Sequence, residues 1–215
     1  KQFSERRKKL TLPRGWSMCR KYGTPLNGTR VFSFKVPLGE HFKVNPRLKF
    51  TPEQFLNEQR THGREIGLVV DLTYTDKYYD GEKEFVSRGV SYIKIPEKGH
   101  SSHPRRRNID TFIKTVTSFL KKNDDNTNNS HNGKRYVAVH CTHGLNRSGF
   151  FIVSLLVEAL SIPLSLALRS FAAASPPGIW DRDYILALHR KYRCPPPSPE
   201  LLPDPPPWRK KEKGG

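Results

Sequence analysis

One short stretch restricts this chain more than any other. Residues 136–141 (YVAVHC) form an apolar run of strand length, a Gly-containing turn follows at once, and residues 148–160 are apolar over helical length. A buried strand feeding a buried helix needs a sheet covered on both faces. Other segments repeat the alternation. Residues 30–37 (RVFSFKVP) alternate aromatic and β-branched residues, as a strand does. Residues 66–73 (IGLVVDLT) read as a fully buried strand and residues 91–96 (SYIKIP) as a short one. Between them, Thr51 as N-cap with Pro52 at the first helical position predicts a helix to about His62. A short helix is expected over 82–88. Apolar residues at 109, 112, 113, 116, 119 and 120 mark one face of a helix over 108–122. Helices are also expected over 163–174 and 181–192, the latter capped by Asp181. The fold class is therefore α/β, with a central, mostly parallel twisted sheet flanked by helices.

The ends and one insertion differ from this core. Residues 1–10 (KQFSERRKKL) are basic with no apolar segment behind them, and are expected to be a disordered lead-in without a signal peptide. Residues 121–134 (KKNDDNTNNSHNGK) are polar and Asn-rich, and read as a loop. The domain proper is expected over 11–194. Residues 195–215, Pro-rich and ending WRKKEKGG, read as a basic linker, with a docked arm as the alternative. No apolar run reaches the eighteen residues of a membrane span. Three cysteines, Cys19, Cys141 and Cys194, lack the spacing of a disulfide framework or a zinc site. The net charge is +18, from 38 Lys+Arg against 20 Asp+Glu, which points to a polyanionic partner such as nucleic acid.

The turn between strand and helix carries the chemistry: His140, Cys141, Thr142, His143, Gly144, Leu145, Asn146, Arg147, Ser148, Gly149. A loop entering a helix N-terminus turns backbone N–H groups inward, making a cradle for a tetrahedral anion. Gly144 permits the tight curl. The same donors stabilise a thiolate, so Cys141 is expected to be a nucleophile of lowered pKa. Arg147 can return to the cradle and hold two phosphate oxygens with its planar fork. Ser148 can donate to the sulfur and ease its departure. Residues 142–147 together are the phosphate-binding loop. His140 is expected to orient that loop, while His143 and Asn146 either touch phosphate or brace the backbone. The loop lacks the G-x-x-x-x-G-K-[ST] pattern of a nucleotide-binding P-loop.

HCTHGLNRSG resembles the signature of cysteine phosphatases, and in its HCTHGxNR[ST]G form that of RNA 5′-triphosphatases: the N-terminal domain of cysteine-type mRNA capping enzymes and related dual-specificity-like RNA polyphosphatases. Pro13-Arg14-Gly15-Trp16, the 67–73 strand followed by Tyr78-Tyr79, and Gly99-His100 are also similar. So are Pro176-Pro177-Gly178-Ile179 with Asp183-Tyr184, and the Pro-rich exit ending at Trp208. The resemblance implies the dual-specificity-like phosphatase fold and a metal-independent, cofactor-free reaction. Its substrate would be 5′-triphosphate RNA, cut to the diphosphate through a phosphocysteine. It also implies a nuclear setting, with a cytoplasmic or viral one as alternatives, and partnership with a fused or separate guanylyltransferase and the transcription machinery. No Lys-x-Asp-Gly motif for nucleotidyl transfer occurs in the sequence.

Protein-directed relatives place an acid Asp upstream of the cysteine. Here residues 99–107 read GHSSHPRRR, with no carboxylate. Asp71 and Asp110 remain: Asp71, at a strand end, is counted with the catalytic group in a supporting role, and Asp110 is read as a solvated helix residue. Arg105, Arg106 and Arg107 are candidates for binding RNA at the mouth of the site, or a solvated cluster. Tyr78 and Tyr79 either stack a base or belong to the core. The competing functions are a polyphosphatase continuing to the monophosphate, a dual-specificity protein phosphatase, and a catalytically dead RNA-binding module.

Overall fold

The computed structural model describes residues 11–99, 103–127 and 134–209. Four strands, β1 (Val31–Lys35), β2 (Ile66–Asp71), β3 (Ser91–Lys94) and β4 (Tyr136–Cys141), form one parallel sheet in the order β1-β4-β2-β3. Parallel neighbours need crossovers rather than hairpins. These are supplied by α1 (Pro52–Thr61), α2 (Gly81–Glu84) and α3 (Arg106–Thr127). After β4 come α4 (Asn146–Leu160), α5 (Leu164–Ala174) and α6 (Arg182–Lys191).

Alternation along the strands divides the core between the two faces. Leu68, Val70, Val137 and Val139 pack with Phe112 of α3, Phe151 of α4, Phe171 of α5 and Leu188 of α6. Phe32, Phe34, Val69 and Ala138 pack on the other face with Phe50, Phe55, Phe85 and Trp16. The Phe34 and Phe55 rings stack there at 4.1 Å.

Local chemistry sets the helix starts as expected. Thr51 and Gln54 form a reciprocal capping box at α1, and the Asp181 side chain accepts from the Asp183 N–H at α6.

Two segments depart from the sequence reading. The α3 helix continues to Thr127, into the stretch read as a loop. Asn123 Oδ1 accepts from the Arg135 N–H at 2.7 Å and Asp124 pairs with Arg30 at 2.9 Å, so these polar residues bind the helix end to the sheet. Residues 128–133 of that loop, and the lead-in over 1–10, lie outside the described residues. The short helix over 82–88 divides into α2 and a 3₁₀ turn at Val86–Arg88. Of the two readings of the exit segment, the contacts of Trp208 with Gly15, His143 and Trp180 fit the docked arm as far as residue 209. Among the described residues no helix is long and apolar enough to cross a membrane.

Candidate active site at the carboxyl end of the sheet

Ligands of open α/β sheets gather outside the carboxyl ends of the strands. β4 ends there on Cys141, between β1 and β2, with Cys141 in register with Lys35 and His140 in register with both Phe34 and Asp71. The following loop turns at Gly144 (φ 73°). A Cβ there would sit 2.5 Å from the Phe34 carbonyl oxygen, so both the left-handed backbone and the contact with β1 call for glycine. The helix begins at Asn146, two residues before the sequence expectation, which puts Arg147 and Ser148 in its first turn.

Cys141 is 3% exposed. Burial alone would push its thiol up. The Arg147 guanidinium, the Ser148 hydroxyl, and the backbone N–H groups of Ser148 and His143 overcome that and hold the thiol below its ordinary value. Ser148 Oγ is buried and, among the described residues, makes no hydrogen bond of ordinary geometry. Its hydroxyl dipole still favours the thiolate beside it.

Arg147 is fixed before any ligand arrives. One terminal nitrogen donates to the carbonyl oxygens of Leu72 (3.1 Å) and Glu97 (2.7 Å), the other to Thr142 Oγ1 (3.0 Å). The carboxyl end of β2 and the loop after β3 therefore aim the guanidinium at the cradle.

The other loop side chains brace neighbours. Asn146 Oδ1 accepts from the N–H groups of Trp180 (2.9 Å) and Asp181 (3.1 Å), tying the loop to the start of α6. His143 Nε2 lies 2.8 Å from the Arg14 carbonyl oxygen, which ties it to the N-terminal segment. Leu145 is buried. His140 is wholly buried: Nε2 is 2.5 Å from Tyr79 Oη, and Nδ1 is 3.3 Å from the Cys141 carbonyl oxygen. Burial pushes its pKa down despite the Asp71 carboxylate, so the ring is neutral at neutral pH.

Asp71 sits behind the loop rather than in the cleft. It is 2% exposed; Oδ1 accepts from the Thr73 N–H at 2.7 Å, and Oδ2 accepts from Tyr92 Oη at 2.9 Å and Lys94 Nζ at 2.8 Å. Burial would raise its pKa; His140 when protonated, Lys94, and the hydrogen bonds from Lys94 and Thr73 keep it below the usual carboxyl value. With His140 neutral, Lys94 is the balancing charge.

The arginine triplet is dispersed at the start of α3. Arg106 pairs with Asp110 (2.8 Å) and Glu158 (3.1 Å). The Arg105 backbone donates to the buried Glu97 carboxylate, and Arg107 is exposed. None of the three lines the cleft. Glu97 itself faces Asn108 (2.7 Å), so it serves the helix start and not the cleft. Of the two tyrosines, Tyr79 is core, and Tyr78 is buried while lining the cleft.

The cleft over Cys141 has a volume of about 540 Å³. Among the described residues its lining carries four cations, Arg14, Lys98, Arg147 and Arg209, against one carboxylate, Asp181. Trp180, Tyr184 and Trp208 line it together with Tyr74 and Tyr78. The sequence reading did not assign Trp180, Asp181, Lys98 or Trp208 to the site. The only advance signals were the similarity of the 176–184 segment and of the exit, since these residues converge through loops without periodicity. Among the described residues no cluster of His, Cys, Asp or Glu side chains is arranged to hold a metal ion.

No family model matches the chain. It is 35% identical over 199 residues to the mRNA-capping enzyme of Mus musculus, an overlap covering 90% of this chain and 31% of that protein. It is 32% identical over 164 residues to an RNA/RNP complex-1-interacting phosphatase homolog of Caenorhabditis elegans, covering 74% of this chain and 67% of that protein. Among solved structures, kinase associated phosphatase with its catalytic-site cysteine replaced by serine matches at a TM-score of 0.58 and 17% identity, covering 76% of this chain and 85% of that one. At that identity the likeness carries the fold, the α/β fold of cysteine phosphatases. The chain spans less than a third of the length of the mRNA-capping enzymes it matches.

Proposed function

We propose that this chain, which belongs to the family of cysteine phosphatases that includes the RNA/RNP complex-1-interacting phosphatases and the mRNA-capping enzymes, removes the γ-phosphate from 5′-triphosphate RNA. The observation that carries this reading is the pairing of Cys141 and Arg147 at the floor of a cleft lined by four cations and one carboxylate. In the first step the Cys141 sulfur forms a bond to the γ-phosphorus, and the bond from that phosphorus to the β–γ bridging oxygen breaks. Diphosphate-ended RNA leaves with the electron pair. Arg147 spans two equatorial oxygens, and the N–H groups of the loop hold the rest of the developing charge. Water then attacks the phosphocysteine, the sulfur–phosphorus bond breaks, and inorganic phosphate and the thiolate are released. Ser148 steadies the departing sulfur. Asp71 acts through Lys94, Tyr92 and the β2 end as a positioning residue, and His140 orients the loop from behind.

Leaving-group chemistry favours an anhydride over a phosphoprotein. A tyrosine leaving group has a pKa of about 10 and gains from protonation, whereas a phosphate, with a second pKa of about 6, leaves as an anion. Asp181, the carboxylate in the cleft lining, is engaged as the cap of α6. In a cell the product would pass to a guanylyltransferase, fused or separate, which places the reaction in the nucleus beside transcription.

The test uses RNA labelled at the γ- or β-phosphate in the presence of EDTA. The expected products are labelled inorganic phosphate and a diphosphate end. Continued release of the β-label supports the polyphosphatase alternative, and turnover of a phosphopeptide comparable to that of RNA supports a dual-specificity protein phosphatase.

A further inference from the structure

The exit segment brings one residue to the mouth of the cleft. The Trp208 indole lies over Gly15, where an added Cβ would be 2.3 Å from ring carbons Cδ2 and Cε3. It stacks on the His143 ring of the phosphate loop at 4.8 Å and 29°, and meets Trp180 edge-on at 5.6 Å and 87°. Trp208 lines both the catalytic cleft and a second cavity of about 290 Å³ that borders Lys35 and Arg20, and it remains partly exposed. Trp180 adds an independent sign. It is 8% exposed, lines the same cleft, and among the described residues its buried indole N–H has no acceptor, which costs about 1–3 kcal/mol when left unmet.

We propose that Trp208, backed by His143 and Trp180, is a nucleobase subsite, on which the first base of triphosphate-ended RNA stacks while its triphosphate reaches Cys141. The proposal rests on the triphosphatase reading and deepens it, for it names what lets the site tell an RNA end from a bare polyphosphate. Stacking suits this task because every base has a π-face, so the subsite accepts any first nucleotide. Arg14, Lys98 and Arg209 around it supply charge for the phosphates. Trp208 and Arg209 of the exit segment thereby form part of the wall of the site.

The experiment compares short triphosphate-ended RNA with inorganic tripolyphosphate as substrates of the full chain. In Trp208→Ala the ratio of kcat/KM for RNA to that for tripolyphosphate is expected to fall about tenfold, equivalent to about 1.4 kcal/mol. Trp208→Phe is expected to keep most of the ratio. Equal losses on both substrates would mean that Trp208 only supports the loop, and an unchanged ratio would mean that no base reaches it; either overturns the subsite while leaving the triphosphatase reading in place. An unsubstituted protein that releases phosphate from neither substrate overturns both.

Discussion

Replacing Arg147 by lysine separates geometry from charge. The guanidinium makes three bonds at once, to the carbonyl oxygens of Leu72 and Glu97 and to Thr142 Oγ1, and this fixes its plane before substrate binds. A lysine retains the positive charge near the Cys141 sulfur but carries one compact ammonium that cannot span two phosphate oxygens. Loss of one positioned donor to a developing oxyanion costs about 2.7–4 kcal/mol, or about 10²–10³ in rate. In Arg147→Lys, kcat/KM for γ-phosphate release is therefore expected to fall by about 10²–10³. Folding stability should fall by only about 1–3 kcal/mol, because the ammonium recovers part of the lost contacts. Single-turnover phosphate release, with urea unfolding on the same preparations, measures both. A lysine variant within about tenfold of the parent would show that the planar fork is dispensable and that the argument from its three anchors is wrong.

Further outcomes follow from other contacts. The alkylation rate of Cys141 by iodoacetamide should rise with pH through a midpoint below that of an ordinary thiol, and Arg147→Ala should move the midpoint upward by removing the guanidinium that favours the thiolate. Asp71→Asn should cost about 3 kcal/mol in urea unfolding, the low end for breaking a buried pair, because Lys94 keeps some contact with water. The folded-state pKa of Asp71 is depressed, so its contribution is present above the unfolded carboxyl value of about 3.9 and is lost as pH falls further. The Asn variant should accordingly lose less stability than the parent on acidification through that window. Gly149→Ala would place a Cβ 2.5 Å from Ile179 Cγ1 and 2.6 Å from Phe171 Cε1, so thermal unfolding should report a loss of about 1–3 kcal/mol.

The sheet and its covering helices were legible in the sequence because strands such as 66–71 and 136–141 are continuous apolar runs and helices such as 52–61 carry their own caps. The turn after β4 was legible for a related reason: Cys141 to Ser148 is contiguous, and a strand–turn–helix unit fixes its geometry locally. What could not be read is what tertiary packing decides. The Asn-rich end of α3 is helical because Asp124 and Asn123 reach Arg30 and Arg135, partners far away in sequence. Asp71 looks like a free strand-end carboxylate until Tyr92 and Lys94 arrive from β3. The bracing contacts of His143 and Asn146 depend on the Arg14 carbonyl and on the backbone at Trp180. The wall of the cleft is assembled from segments near residues 14, 98, 180 and 208, which share no periodicity.

The most direct measurement is rapid acid quenching of the protein mixed with γ-labelled triphosphate RNA, followed by peptide mapping. Label should appear transiently on the peptide containing Cys141 before free phosphate accumulates, and Cys141→Ser should release none. Steady release of phosphate with no label on that peptide, or undiminished release by the serine variant, would contradict a sulfur-bound intermediate.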